Sequence, residues 1–145
     1  MTTVKTVLLG KGPQVHTISS GATVADAVQK MNDLGIGALV VKDGGHVVGI
    51  FTERDVLRRV VGEGRQPGET RVAEVMTNDI VCCRPDTEID EVGAMMKDRR
   101  VRHVPVIDSD HELVGLVSMG DVNACHASSQ AAHIEFLNEY IYGRA

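Results

Sequence analysis

Two seven-residue segments place chemically capable side chains at the same spacing: Gly49-Ile50-Phe51-Thr52-Glu53-Arg54-Asp55 and Gly115-Leu116-Val117-Ser118-Met119-Gly120-Asp121. Each runs glycine, two apolar residues, a hydroxyl residue, two variable positions and an aspartate. A hydroxyl followed three residues later by a carboxylate fits a helix start, where side-chain oxygens satisfy the first free backbone N–H groups. The same place suits an anion, because a helix start offers unpaired N–H groups and the positive end of the dipole, and the hydroxyl adds a hydrogen bond. An ionised carboxylate one turn on can accept both hydrogens of a ribose cis-diol. Glycine on the preceding strand permits close backbone approach. Two readings stand side by side: a pair of capping boxes, or a pair of nucleotide contacts.

The elements that must position these residues are also written twice. At an offset of 65, Val24 meets Ile89, Met31 meets Met96, Asp33 meets Asp98, Ile36 meets Val101 and Val41 meets Val106. One extra residue in the second copy's turn moves the offset to 66, and Val48 then meets Val114, Thr52 meets Ser118 and Asp55 meets Asp121. Such self-similarity is the mark of an internal duplication. Within each copy a short apolar stretch (Val15 to Ile18, Ile80 to Cys83) predicts a strand. Val24, Ala27, Val28, Met31 and Leu34 then follow the spacing of an amphipathic helix. Thr23 with Asp26, and Thr87 with Asp90, are its expected caps in the two copies. Aliphatic runs at Ala38 to Val41 and Val104 to Ile107 predict buried strands. Polar turns lead each into a hairpin partner, Val47 to Phe51 and Leu113 to Val117. Second helices start after Thr52 and Ser118. The unit is strand, helix, strand, strand, helix, an α/β (α+β) arrangement.

A unit of about 50 residues buries too little surface to stand alone, so the two copies are expected to pack on each other. The division read from the sequence is repeat 1 over 1–61, a Gly- and Pro-containing polar linker over 62–71, repeat 2 over 72–128 and a C-terminal helix or tail over 129–145. In that tail Ile134, Leu137 and Ile141 share a helical face, expected to latch onto the chain's own core or a partner subunit.

Composition excludes several classes. Fifteen Lys and Arg against 20 Asp and Glu give a net charge of −5, which argues against a nucleic-acid surface. Aromatic residues are 3% with no Trp, so base-stacking platforms are not expected either. No apolar run approaches the roughly 20 residues of a membrane span. Behind Lys5 only Val7-Leu8-Leu9 is apolar, too short for a signal-peptide core, and the expectation is a cytoplasmic protein. The three cysteines, Cys82, Cys83 and Cys125, are odd in number and fit a reducing compartment, Cys82 and Cys83 reading as small buried hydrophobes. Cys125, His126 and His133 match no structural zinc spacing, and no metal is expected.

The duplicated motif, the aliphatic strand carrying Val104-Pro105-Val106, and Thr87-x-Ile89 at the first helix together resemble tandem CBS domains, over about Val4 to Ala124. The resemblance implies a Bateman module: two β-α-β-β-α repeats about a pseudo-two-fold axis, sheets inside and helices outside, working as a homodimer. It implies regulatory binding of an adenosyl ligand (AMP, ADP, ATP, NAD(H) or, less favoured here, S-adenosylmethionine) in clefts between the repeats. Carried over by residue, the first cleft takes Ile50, Thr52, Arg54 and Asp55 with Thr77, Val81, Arg102 and His103. The second takes Leu116, Ser118 and Asp121 with His16, Gly37 and Ala38. Arginine binds phosphate bidentately, and the first cleft draws on Arg54, Arg99, Arg100 and Arg102 where Gly120 stands in the second. The Asp55 cleft is therefore the expected phosphate site. The chain shows no nucleophile elbow, HExxH or Walker lysine, and His103 is the one candidate base near the expected phosphate. A non-catalytic sensor acting through its own dimer or an unidentified target protein is favoured over an empty dimerising scaffold, and over a nucleotide-processing enzyme.

Overall fold

A computed structural model describes residues 1–12 and 14–142, with side chains in the final helix described to 128 and at Ile134 and Leu137. The elements in chain order are α1 (Val4–Lys11), β1 (Thr17–Ile18), α2 (Val24–Leu34), β2 (Ala38–Asp43), β3 (His46–Thr52), α3 (Glu53–Asp55), α4 (Val72–Val75), α5 (Ile89–Arg99), β4 (His103–Ile107), β5 (Leu113–Ser118) and α6 (Met119–Tyr142). Beyond α3 the chain continues as a π-helix over Val56–Val61.

The duplication is visible in three dimensions. β2 and β3 form an antiparallel hairpin whose register shifts between Val41 and Lys42, and β4 and β5 repeat it with a shift between Val106 and Ile107. β1 adds in parallel to β2, whereas its counterpart in the second copy shrinks to a single parallel bridge, Cys83 to Val106. The strand expected over Ile80 to Cys83 is thus one residue of pairing. The caps also differ. Thr23 accepts from the Asp26 N–H at 3.1 Å as its spacing predicts. Thr87 does not cap α5, which begins after Glu88; its hydroxyl instead accepts from the Arg84 N–H at 3.0 Å and closes the preceding turn. Thr87 stands one residue too early, since Ile89 is the equivalent of Val24 and Glu88 of Thr23.

Each core borrows its last piece from the other half. Val24, Ala27, Met31, Leu39, Val41 and Phe51 of the first copy close around Val72 and Val75 of α4. Ile89, Val92, Met96, Val104, Val106 and Val117 of the second close around Val4 of α1. Matching backbone bonds fix both: Val72 N–H to the Ala22 carbonyl (2.9 Å) and Val24 N–H to Thr70 (2.8 Å) in one, Val4 N–H to Thr87 (2.8 Å) and Ile89 N–H to Thr2 (3.0 Å) in the other. The packing units therefore cut across the sequence division at 61/62 and 71/72. Complete burial of an aliphatic side chain is worth about 1.5–3 kcal/mol, so the exchanged valines bind the repeats into one folding unit.

α6 runs unbroken through the expected boundary at 128/129. Ile134 and Leu137 are exposed and so are not part of the chain's own core, whereas Ile141 and His133 lie outside the described side chains. Among the described residues no helix is long and apolar enough to cross a membrane.

Candidate functional site

The strand-to-helix junctions hold both motifs as capping boxes. Thr52 Oγ1 accepts from the Asp55 N–H at 3.3 Å while Asp55 Oδ2 accepts from the Thr52 N–H at 3.0 Å. Ser118 and Asp121 do the same at 3.1 and 2.8 Å. The capping reading is therefore correct for each copy, and a further role rests on what else the carboxylates meet. Asp55, 5% exposed, also accepts from the Thr77 hydroxyl at Oδ1 (3.1 Å). Thr77 is held in place because its backbone exchanges two 2.9 Å bonds with Ile50.

Gly49 explains that approach. A Cβ on it would lie 2.7 Å from the Thr77 carbonyl oxygen and 2.8 Å from Met76 Sδ. At Gly115 a Cβ would lie 2.6 Å from a Leu8 methyl. The motif glycines make room for the chain's own crossing segments.

Between the repeats lies a cavity of about 500 Å³, within the usual range for a small-molecule site. All eight residues expected of the first cleft line it: Ile50, Thr52, Arg54, Asp55, Thr77, Val81, Arg102 and His103. Gly37 and Ser118, expected of the second cleft, face this same cavity. The other four second-cleft residues are not brought into it. The His16 carbonyl accepts from Val40 within the sheet (3.2 Å), Ala38 is buried in β2, and the Leu116 carbonyl and Asp121 carboxylate both receive the Lys11 ammonium, at 2.7 and 2.8 Å.

Arg99 is not in the cavity; it is exposed and lies 3.8 Å from Asp79. Sequence reasoning named Arg100 only as one of a run and missed Glu53 altogether. A signal for Arg100 was present: it aligns with Gly35, which ends α2 in the left-handed region at φ 64°. Arg100 ends α5 in that same conformation, φ 55°, at a cost of about 1–2 kcal/mol for a side chain with a Cβ. Glu53 donates its N–H to the Gly37 carbonyl (3.1 Å), and its carboxylate lies against Gly37, which has no side chain to block it.

The cavity's charges are Arg54, Arg100 and Arg102 against Glu53 and Asp55. Burial, with Arg102 and Lys11 adding repulsion, pushes the His103 imidazole below its ordinary value, so it faces the cavity neutral near pH 7. Burial works against the charged form of Asp121, but the Lys11 hydrogen bond and the Ser118 N–H outweigh it and hold that carboxyl low. Cys83, buried, has its thiol pushed up to about 12 and is inert packing, while half-buried Cys82 is raised by burial alone.

A family model for the CBS domain matches the chain twice, over residues 11–62 and 72–125. The chain belongs to the CBS-domain family. It is 36% identical to the mitochondrial CBS domain-containing protein CBSX3 of Arabidopsis thaliana, covering 98% of this chain and 73% of that one. It is 32% identical to the CBS domain-containing protein YhcV of Bacillus subtilis, over 82% of this chain and 84% of the other. Among solved structures, one described as a signal-transduction protein with CBS domains, from Burkholderia ambifaria, superposes with a TM-score of 0.84 at 39% identity, covering 89% of this chain and 96% of that chain. The chain is a CBS pair, a regulatory module in type, and the two repeats seen in its strands and helices are its two CBS domains.

Proposed function

We propose that this CBS pair binds a phosphorylated adenosyl ligand (AMP, ADP, ATP or NAD(H)) in the Asp55 cavity and reports on it without catalysis, through its own homodimer or a target protein. The observation that carries this reading is the meeting, in one cavity, of a buried carboxylate for a ribose diol with three arginines from both repeats for phosphate. Charge-assisted contacts to phosphate contribute about 1.5–3 kcal/mol each. S-adenosylmethionine has no phosphate and offers the arginines only its single carboxylate, beside a sulfonium cation that they repel. The relative described as a signal-transduction protein supports the regulatory part. Ligand lying between halves that share their cores favours whichever packing closes the cavity, and the shift equals the difference in affinity between the two packings. We place the protein in the cytoplasm, a reading supported by three unpaired cysteines.

A second reading, a scaffold with an empty cavity, draws on Asp55 itself. Its oxygens already accept from the Thr52 N–H, the Thr52 hydroxyl (3.2 Å) and the Thr77 hydroxyl. Of about four lone-pair positions on a carboxylate, one remains, so full engagement of a diol requires the Thr77 hydroxyl to turn away.

A thermal-shift panel of AMP, ATP, NAD, NADH and S-adenosylmethionine separates the readings, because a ligand of the native state raises the melting temperature by mass action. Stabilisation by the phosphorylated members alone is the expected result, and no shift with any of them leaves the scaffold. Chromatography of the incubated nucleotide checks for turnover, which would instead favour an enzyme.

A further inference from the structure

The two halves solve one geometric problem with different donors. In the first, Thr77 gives its N–H to the Ile50 carbonyl (2.9 Å) and its hydroxyl to Asp55 (3.1 Å). In the second, the Lys11 ammonium alone serves both equivalents, the Leu116 carbonyl (2.7 Å) and Asp121 (2.8 Å). Lys11 and Thr77 stand 66 residues apart in the sequence, the same spacing as Ile50 to Leu116 and Asp55 to Asp121. The cause lies in the exchanged helices. α4 ends at Val75 and releases Thr77 into extended pairing with Ile50, whereas α1 stays helical to Lys11. Its Leu8 packs on Gly115, which brings the lysine one turn later over Asp121.

We infer that Lys11 holds the Asp121 cleft closed, so that each chain takes up one nucleotide, at Asp55, and none at Asp121. This rests on the nucleotide reading of the cavity. A hydroxyl can rotate aside and leave a neutral gap, but removing the ammonium strands the Asp121 carboxylate without its cation, and a donor tethered to the chain competes at high effective concentration. The internal duplication would then have kept one site for ligand and turned the other into a latch joining α1 to the second repeat.

The test uses the full chain. Titration calorimetry with AMP is expected to give one site in the wild type, two in Lys11→Met, and one in Lys11→Arg, which keeps a cation. Hydrogen exchange without ligand is expected to speed up about tenfold or more at the Leu8 to Lys11 amides of Lys11→Met, while the Val4 and Lys5 amides keep their protection through Thr87 and Pro85. Lys11→Gln repeats both measurements should the Met variant fold poorly. Two sites in the wild type, one site in the folded neutral variants, or unchanged exchange along α1 each overturn the latch. A wild type that takes up none of AMP, ADP, ATP, NAD and NADH while exchange still responds overturns the nucleotide reading and the count of sites, and leaves Lys11 as the tie alone.

Discussion

Thr77 donates its hydroxyl to Asp55 Oδ1 at 3.1 Å, joining the opening segment of the second CBS repeat to the second helix of the first. Asp55 is thereby a helix cap, a tie between halves and the proposed ribose acceptor. Substitution by alanine would mix these roles, since loss of a cap alone costs about 1 kcal/mol. Asp55→Asn is cleaner: its amide oxygen still caps through the Thr52 N–H, and its NH2 can face Thr77. Nucleotide affinity is expected to fall about tenfold or more by calorimetry, with urea unfolding changed little. Unchanged affinity in the folded variant would remove Asp55 from the ribose role.

Much of this was legible in the sequence because the repeat doubled every signal. Two hairpins, α2 and α5, and the junctions at Thr52 and Ser118 all follow from periodicity and offset, and the first cleft assembles from the residues the resemblance assigns to it. The second did not, for a physical reason: Lys11 lies in a segment whose helical pattern is weak and whose partner, Asp121, is 110 residues away. Periodicity reports which face is apolar and says nothing of which half supplies the packing partner. The same blindness hid the exchange of α1 and α4, whose valines look like ordinary short apolar runs until they are found in the opposite cores.

The left-handed Arg100 predicts a trade between stability and binding. Arg100→Gly relieves the backbone at φ 55° and is expected to raise unfolding stability by about 0.5–1 kcal/mol. If the guanidinium meets phosphate, AMP affinity falls in the same variant while adenosine affinity does not. Arg102→Ala is expected to show the binding half of this pattern without the gain in stability. Equal losses for AMP and adenosine in both variants would show that neither arginine contacts phosphate.

Gly49 and Gly115 hold equivalent positions but meet different neighbours, which predicts unequal costs. In Gly49→Ala the new methyl meets the Thr77 backbone oxygen, which cannot move without breaking the pairing with Ile50. In Gly115→Ala it meets the flexible end of Leu8. Overpacking costs about 1–3 kcal/mol, and urea denaturation is expected to put Gly49→Ala near the upper end and Gly115→Ala near the lower. Equal costs at the two sites would contradict the backbone contact.

His103 makes the protein's stability depend on pH in a stated direction. Its imidazole is held below the ordinary value by burial first, then by Arg102 and Lys11, with Asp121 and Glu53 opposing. The folded state thus binds its proton less readily than the unfolded chain. Below the ordinary histidine value near pH 6.5 the unfolded state takes up more protons, so stability is lost as pH falls and regained as it rises. Other groups titrate in the same range, and the comparison with His103→Gln isolates this one. Between about pH 7.5 and about pH 5.5, urea unfolding is expected to show a steeper loss in the wild type than in the variant. A phosphate bound beside the imidazole would reverse the balance by favouring the cation. The His103 resonance, followed by NMR, is therefore expected to titrate below the ordinary range in the free protein and to move upward when AMP is added. An imidazole that titrates normally and ignores AMP would place His103 outside the charged part of the site.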